Sequence, residues 1–232
     1  MRNYTRKIVL FMVLFAGITA YSFAETIFTS TLNFTRLYEQ YTDENIGRDL
    51  EGVSFDISIN YYPGRSPLGW YVKTSLGSSI AGTEWKSDAV AAADIYSSTD
   101  IRFSLGPSLV LRAGSKLLIP ISIGPIVSNY REEINEYYYD YYGSTNNTGF
   151  FEALNVGALA DIGIVLNPFR RFAIKTGVSV SWDILRWEKG LNATTAFRTI
   201  NSGEFTQVNY SAYKISLYFG LGLCFENTRV RD

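Results

Sequence analysis

The sequence predicts an all-β fold, an eight-stranded antiparallel up-and-down transmembrane β-barrel, on three observations. Eight stretches between about residues 26 and 225 alternate apolar and polar at every second residue, with Ser, Thr and Gly prominent among the polar partners. From Val53 to Phe225 the apolar faces carry no charge, and the mid-strand charges all fall on the opposite face. Long and short connections alternate along the chain, as they do when the long loops lie at one end of a barrel and the short turns at the other.

A leader precedes the strands. Arg2, Arg6 and Lys7 are followed by an apolar run from Ile8 to Ile18 and the small-residue site Ser22, Phe23, Ala24. This is the pattern of a secretory signal peptide over residues 1–24, with cleavage leaving Glu25 first and residues 25–232 as the barrel domain. The alternative is an uncleaved anchor helix, but the run is short of the roughly 20 residues that span a bilayer. Losing Arg2, Arg6 and Lys7 removes three positive charges and takes the formal net charge from −1 to −4. No basic stripe remains, which argues against a nucleic-acid partner.

The first strand, Ile27 to about Tyr38, sets Phe28, Leu32 and Phe34 against Thr29, Thr31, Asn33 and Thr35. In the second, Val53, Phe55, Ile57, Ile59 and Tyr61 oppose Ser54, Asp56, Ser58 and Asn60. The third starts at Trp70 and sets Val72, Thr74, Leu76 and Ile80 against Lys73, Ser75, Gly77 and Ser79. The fourth opposes Ile101, Phe103, Leu105, Leu109 and Leu111 to Arg102, Ser104, Gly106 and Ser108. The fifth has Leu117, Ile119, Ile121, Ile123 and Val127 against Ser122, Gly124 and Ser128.

In the sixth, Leu154, Val156, Ala158, Ala160, Ile162 and Ile164 face away from Asn155, Gly157, Asp161 and Gly163. The seventh sets Phe172, Ile174, Val178, Val180, Trp182 and Ile184 against Lys175, Gly177, Ser179, Ser181 and Asp183. The eighth runs from Tyr213 to Phe225, with Lys214, Ser216, Gly220 and Gly222 on its polar face. Long connections are expected near 39–50, 81–98, 129–151 and 188–209, and short ones near 63–69, 112–116 and 167–171. The short ones carry turn chemistry: Pro63-Gly64, Gly114-Ser115 and Asn167-Pro168.

Alternation alone does not say which face is inside, since a secreted lipocalin-like barrel alternates too. Size and charge decide it. The interior of an eight-stranded barrel is just wide enough for side chains to fill, so Ser and Gly suit the inside, while Leu, Ile and Phe suit lipid. A lipid-facing Lys or Arg at the midplane costs roughly 2–4 kcal/mol. Asp56, Lys73, Asp100, Arg102, Asp161, Lys175, Asp183 and Lys214 therefore form a charge-balanced lumen network, because a buried charge without a partner is expensive. Asp161 and Lys175 flank one turn and are placed to pair diagonally.

Aromatic residues near strand ends, including Tyr38, Tyr61, Trp70, Phe172, Trp182, Tyr213 and Phe225, suit two interfacial girdles; the plain β propensity of aromatics is the alternative. Pro107, Pro120 and Pro125 predict bulges or strand ends, since Pro removes a ladder hydrogen bond and a closed barrel has no edge to hold it.

With these segments in place, residues 25 to 225 resemble the small eight-stranded outer-membrane proteins of the OmpA, OmpX and OmpW type. The sharpest local likeness is Tyr218-Phe-Gly-Leu-Gly-Leu-Cys-Phe225, similar to the glycine-then-aromatic C-terminal signal of such barrels; Glu226 to Asp232 follow where members usually stop. Ser104-Leu-Gly-Pro and Ser122-Ile-Gly-Pro are phrases of the sort found in this group. The resemblance implies a bacterial outer-membrane location, a surround of outer-membrane lipid, and recognition by the barrel assembly machinery through Gly220, Leu223 and Phe225.

The chain has no His, which removes the Ser-His-Asp arrangement and the usual zinc sites. No catalytic residue, metal site or cofactor is expected, and the protein reads as non-enzymatic. The single Cys224 reads as a buried thiol on the lumen face. Ala89 to Ala93 suits either a short helix or a small-residue linker.

The segment from Tyr130 to Tyr142 clusters tyrosines, with Tyr137, Tyr138, Tyr139, Tyr141 and Tyr142 as candidate surface contacts. It reads either as a solvated extension of two strands or as a surface touching host or matrix molecules. Two functions follow: a surface protein whose barrel anchors four external loops for host or matrix contact or envelope stability, or a porin-like, narrow channel of the OmpW kind for small apolar solutes. Arg102, Asp183 and Lys214, placed in the upper half of the lumen, favour a plugged interior and so the first.

Overall fold

The computed structural model describes residues 24–225 apart from 44, 65, 87–88, 91–95, 115, 141–142, 170 and 192–202. Of the expected leader only Ala24 lies among them, and it opens the first strand. Eight long strands follow in order: β1 (Ala24–Tyr41), β2 (Ile46–Pro63), β3 (Leu68–Lys86), β4 (Tyr96–Ala113), β5 (Leu117–Asp140), β6 (Gly143–Phe169), β7 (Phe172–Leu191) and β8 (Tyr210–Phe225). Each pairs antiparallel with its sequence neighbours, and β8 returns to pair with β1 from Tyr41↔Tyr210 to Thr26↔Phe225. That last ladder closes the sheet, so no long strand is left as an edge.

Facing follows the predicted alternation. Phe34, Leu76, Ile123 and Leu217 are exposed on the outer wall, whereas Thr29, Asn33, Asp56 and Ser104 are buried within. Outward Leu, Ile and Phe in such numbers would be unstable in water, and they suit a lipid solvent. The interior is not polar throughout. Ile27, Tyr62, Val110, Leu118, Val165, Ala173 and Cys224 pack together at the short-turn end, and Leu37, Tyr41, Ile46, Leu50, Tyr130, Phe151 and Tyr210 at the long-loop end.

The long connections are shorter than the sequence suggests, because the strands climb past the apolar band. β5 and β6 run for 24 and 27 residues, against the roughly 9–11 that cross a bilayer. The first connection shrinks to residues 42–45, where Asn45 takes the left-handed conformation at φ 53°. Of Ala89 to Ala93, Ala89–Val90 is a strand piece pairing with β3 and residues 91–93 lie outside the described residues; Thr206–Val208 pairs with β7. At the opposite end the short turns use Gly64 and Gly114 at positive φ, a conformation that costs glycine little.

Pro107, Pro120 and Pro125 neither end strands nor shift register. The β4–β5 ladder skips from Ser104↔Ile126 to Ser108↔Ser122, bracketing Pro107 and Pro125, and resumes in the same register. Pro120 likewise sits in a gap between Leu118↔Val165 and Ile121↔Ile162. Two or three lost pairs inside a closed ladder are tolerated because the flanking pairs fix the alignment. The register shifts lie elsewhere, one of them between Leu166 and Phe169 around the Asn167-Pro168 turn. Opposite Glu51 and Gly52, β3 carries Ile80 as an extra residue. Opposite Val156 and Gly157, β7 carries Ile184, so that Ile184 and Leu185 both face out and Arg186 turns inward.

The Tyr218 ring lies against the inner wall beside Gly163 and Gly177. A Cβ on Gly163 would lie 2.9 Å from both Tyr218 Oη and Lys175 Cε. Gly163→Ala is therefore expected to destabilise the refolded barrel by about 1–3 kcal/mol through overpacking, read as a lower urea midpoint with unchanged slope.

Candidate functional site

The site is the filled lumen, which rises in tiers. At the short-turn end Arg112 reaches across to Glu25 at 2.6 Å, below a hydroxyl and amide cluster in which Asn60 Nδ2 donates to Ser108 at 3.1 Å and Ser122 at 3.2 Å. Tyr62 and Ser108 share a 2.7 Å hydrogen bond there.

Above it lies the first ion cluster. Lys73 on β3 bridges Asp56 (2.8 Å) on β2 and Asp161 (3.1 Å) on β6, and Lys175 on β7 approaches Asp161 at 3.6 Å. Tyr218 donates to Asp161 at 3.1 Å, and its ring lies 5.3 Å from Lys73 Nζ and 5.2 Å from Lys175 Nζ. The second cluster joins Arg102 to Asp100 and, at 3.2 Å, to Asp183; Lys214 meets Asp100 at 3.1 Å. Arg102 also donates to Ser181 at 2.8 Å.

The long-loop end closes with a third, denser tier. Arg48 pairs with Glu39 (3.1 Å) and Glu132; Arg186 pairs with Glu39 (3.0 Å) and Glu188 (2.5 Å). Tyr130 donates to Glu132, Tyr210 to Glu39 and Tyr41 to Glu188. The Arg186 guanidinium sits among four rings, with centroids at 4.4 Å (Tyr210), 5.2 Å (Tyr130), 5.5 Å (Phe151) and 5.7 Å (Tyr41). A weakly hydrated, planar cation suits such a cage better than an ammonium would.

Between the first two clusters remains a cavity of about 20 Å³, bounded by Ser54, Asp56, Lys73, Arg102, Lys214 and Ser216 among others. That volume holds about one water molecule. Among the described residues no group of three or more His, Cys, Asp or Glu is placed to hold a metal ion.

The seven sequence-derived lumen residues, Asp56, Lys73, Arg102, Asp161, Lys175, Asp183 and Lys214, all fall in the two middle clusters, with Asp100 beside them. Leu223 and Phe225 point outward, while Gly220 faces in opposite Thr31. Tyr137, Tyr138 and Tyr139 contribute strand backbone, but their side chains, and Tyr141 and Tyr142 entirely, lie outside the described residues. Glu39, Arg48, Glu132, Arg186 and Glu188 escaped the sequence reading. Extending the two-residue period beyond the assumed strand ends reaches Glu39 from Thr35 and Leu37, and Glu132 from Ser128 and Tyr130.

No family model and no curated protein matches the sequence. Solved structures do match. The outer membrane protein OprG from Pseudomonas aeruginosa is 9% identical, covers 89% of this chain and 97% of its own, and superposes with a TM-score of 0.52. Neisserial surface protein A is 13% identical over 85% of this chain and 97% of its own, with a TM-score of 0.43. The outer membrane protease OmpT from Escherichia coli is 9% identical over 87% and 96%, at 0.44. At such identities the likeness shows the fold, that of the small outer-membrane β-barrels.

Proposed function

Taking the chain as an eight-stranded transmembrane barrel with that fold, we propose that it is a non-enzymatic surface protein of the bacterial outer membrane, exported by a cleaved leader. Its barrel anchors four external loops for contact with host or matrix molecules or for envelope stability. The observation that carries this reading is the lumen: three tiers of paired charges and three apolar clusters among the described residues fill it, and the cavity between the middle tiers takes about one water. Such a filled barrel works as a rigid anchor. The alternative, a narrow channel for small apolar solutes, needs an open apolar entrance where Arg186 and its rings now sit. Outward Leu223 and Phe225, with Gly220 on β8 pairing with Thr31 of β1, suit presentation to the assembly machinery before closure.

Replacing Tyr137, Tyr138, Tyr139, Tyr141 and Tyr142 together by Ser is expected to cut adhesion of displaying cells to host matrix severalfold while surface antibody labelling stays constant. Unchanged adhesion at normal display would remove the contact role of this segment.

A further inference from the structure

On the outer wall at the long-loop end, a recess of about 300 Å³ opens over three adjacent strands, lined by Tyr38, Gln40, Asn45, Gly47, Ser211 and Tyr213 together with Glu39 and Ile46, whose side chains are buried on the lumen side. Strand register brings these residues together: Tyr38 lies opposite Tyr213, and Gln40 lies between Ser211 on β8 and Gly47 on β2. The Tyr38 and Tyr213 rings stack with centroids 4.7 Å apart and planes inclined by 22°, so Tyr38 backs Tyr213, and the half-exposed Tyr213 ring is the aromatic shelf. Gly47 leaves its part of the floor without a side chain, and amide and hydroxyl groups from Gln40, Asn45 and Ser211 ring the shelf.

The recess is held in shape from below and above. Arg36 packs 5.1 Å from the Tyr38 ring centroid and forms a forked pair with Asp49 at 3.0 and 2.6 Å. Thr42 N–H donates to the Asn209 carbonyl at 3.0 Å, and Asn209 Nδ2 donates to Asp43 at 3.1 Å, tying the β1–β2 turn to the start of β8. On the other side of the shelf the wall continues as Phe34, Ile215 and Leu217, all outward and apolar. The recess therefore lies where the apolar belt ends, at the depth of lipid headgroups.

We propose that this recess binds a saccharide, and that its occupant is an inner sugar of an outer-leaflet glycolipid. A pyranose ring presents a flat face of C–H bonds and a rim of hydroxyls. The recess presents the complement: an aromatic shelf for the face and neutral polar groups for the rim. Its volume is at the lower end of the roughly 300–1,000 Å³ typical of small-molecule sites. Its charged neighbours, Arg36 and Asp49, already neutralise each other, so a sugar ring fits better than an isolated phosphate. The glycolipid source rests on the outer-membrane placement proposed above; the saccharide chemistry does not.

The test uses the refolded full barrel in phosphatidylcholine nanodiscs with and without lipooligosaccharide, and separately titrates the deacylated lipooligosaccharide sugar, with phosphatidylglycerol as a charge control. Wild type is expected to bind glycolipid and free sugar, and not phosphatidylglycerol. Tyr213→Ala and Gln40→Ala should each weaken both about tenfold, close to 1.4 kcal/mol. Tyr213→Phe, which keeps the shelf, and Tyr61→Ala at the opposite girdle should leave both unchanged. Insensitivity to Tyr213→Ala and Gln40→Ala, in variants that fold normally, overturns the site. Binding of glycolipid without free sugar overturns the saccharide chemistry, and free sugar without glycolipid overturns the lipid source. Surface labelling of intact cells checks the outer-membrane placement independently, so its failure is distinguishable from failure of the recess.

Discussion

Arg186→Ala is expected to lower the unfolding free energy of the refolded barrel by about 3–5 kcal/mol and to unplug the long-loop end. Arg186 is wholly buried, pairs with Glu39 and Glu188, and occupies the centre of a four-ring cage. Truncation strips Glu188 of the Arg186 contact and leaves Glu39 dependent on Arg48, while the rings lose the cation between them. Each of these carboxylates then remains in a desolvated place with a weaker partner, which is the costly half of breaking a buried pair. Urea titration in detergent micelles reads the stability, and planar bilayers read the plug. Wild type should show no sustained openings. The variant should show them, and millimolar guanidinium should restore both stability and closure by refilling the cage. A stability loss below about 1 kcal/mol would mean that the cage does not hold the tier together.

The second large effect centres on Asp161. This carboxylate accepts from Lys73 and Tyr218 and lies 3.6 Å from Lys175, so Asp161→Ala leaves two buried ammonium groups with Asp56 as their remaining nearby anion. A loss of about 3–5 kcal/mol is expected. The informative comparison is the double variant Asp161→Leu with Lys175→Met, which removes one charge of each sign and returns the cluster to one lysine and one aspartate. It should recover most of the loss, since replacing a buried pair by apolar groups of similar volume is often neutral. If Asp161→Ala alone proves as stable as wild type, the first ion cluster is not structural. An additive double variant would show that the two residues act independently.

Much of the wall was legible in the residues because lipid imposes a strict rule on it. Period-two alternation, uncharged outer faces and short Gly- or Pro-containing turns placed eight strands, and the eight mid-strand charges came out on the correct side. The strand ends were not legible, because above the apolar belt the outer face no longer needs to be greasy and the alternation loses its contrast. Glu39, Arg48 and Glu132 were hidden by that loss of contrast. Arg186 was hidden for a different reason. The extra residue at Ile184 reverses the facing of all that follows in β7, so strict alternation from Asp183 sends Leu185 and Trp187 inward and Arg186 into lipid. A bulge of this kind has no sequence signature in isolation, although a charge arriving on a lipid face signals that one is present. The prolines misled in the opposite direction, since a closed ring holds alignment across missing bonds better than an open sheet would.

The extended hairpin of β5 and β6 has a consequence of scale. Their ladder continues to Asp140↔Gly143, about a dozen residues beyond Val127, the last exposed aliphatic residue of β5 among the described side chains. At roughly 3.3 Å per residue and a tilt near 40°, the tip stands about 30 Å clear of the hydrocarbon. The Debye length at physiological salt is about 8 Å. Charges on the bilayer surface are therefore several screening lengths away from the tip, and a molecule arriving there would sense the hairpin's own chemistry with little influence from the membrane beneath it.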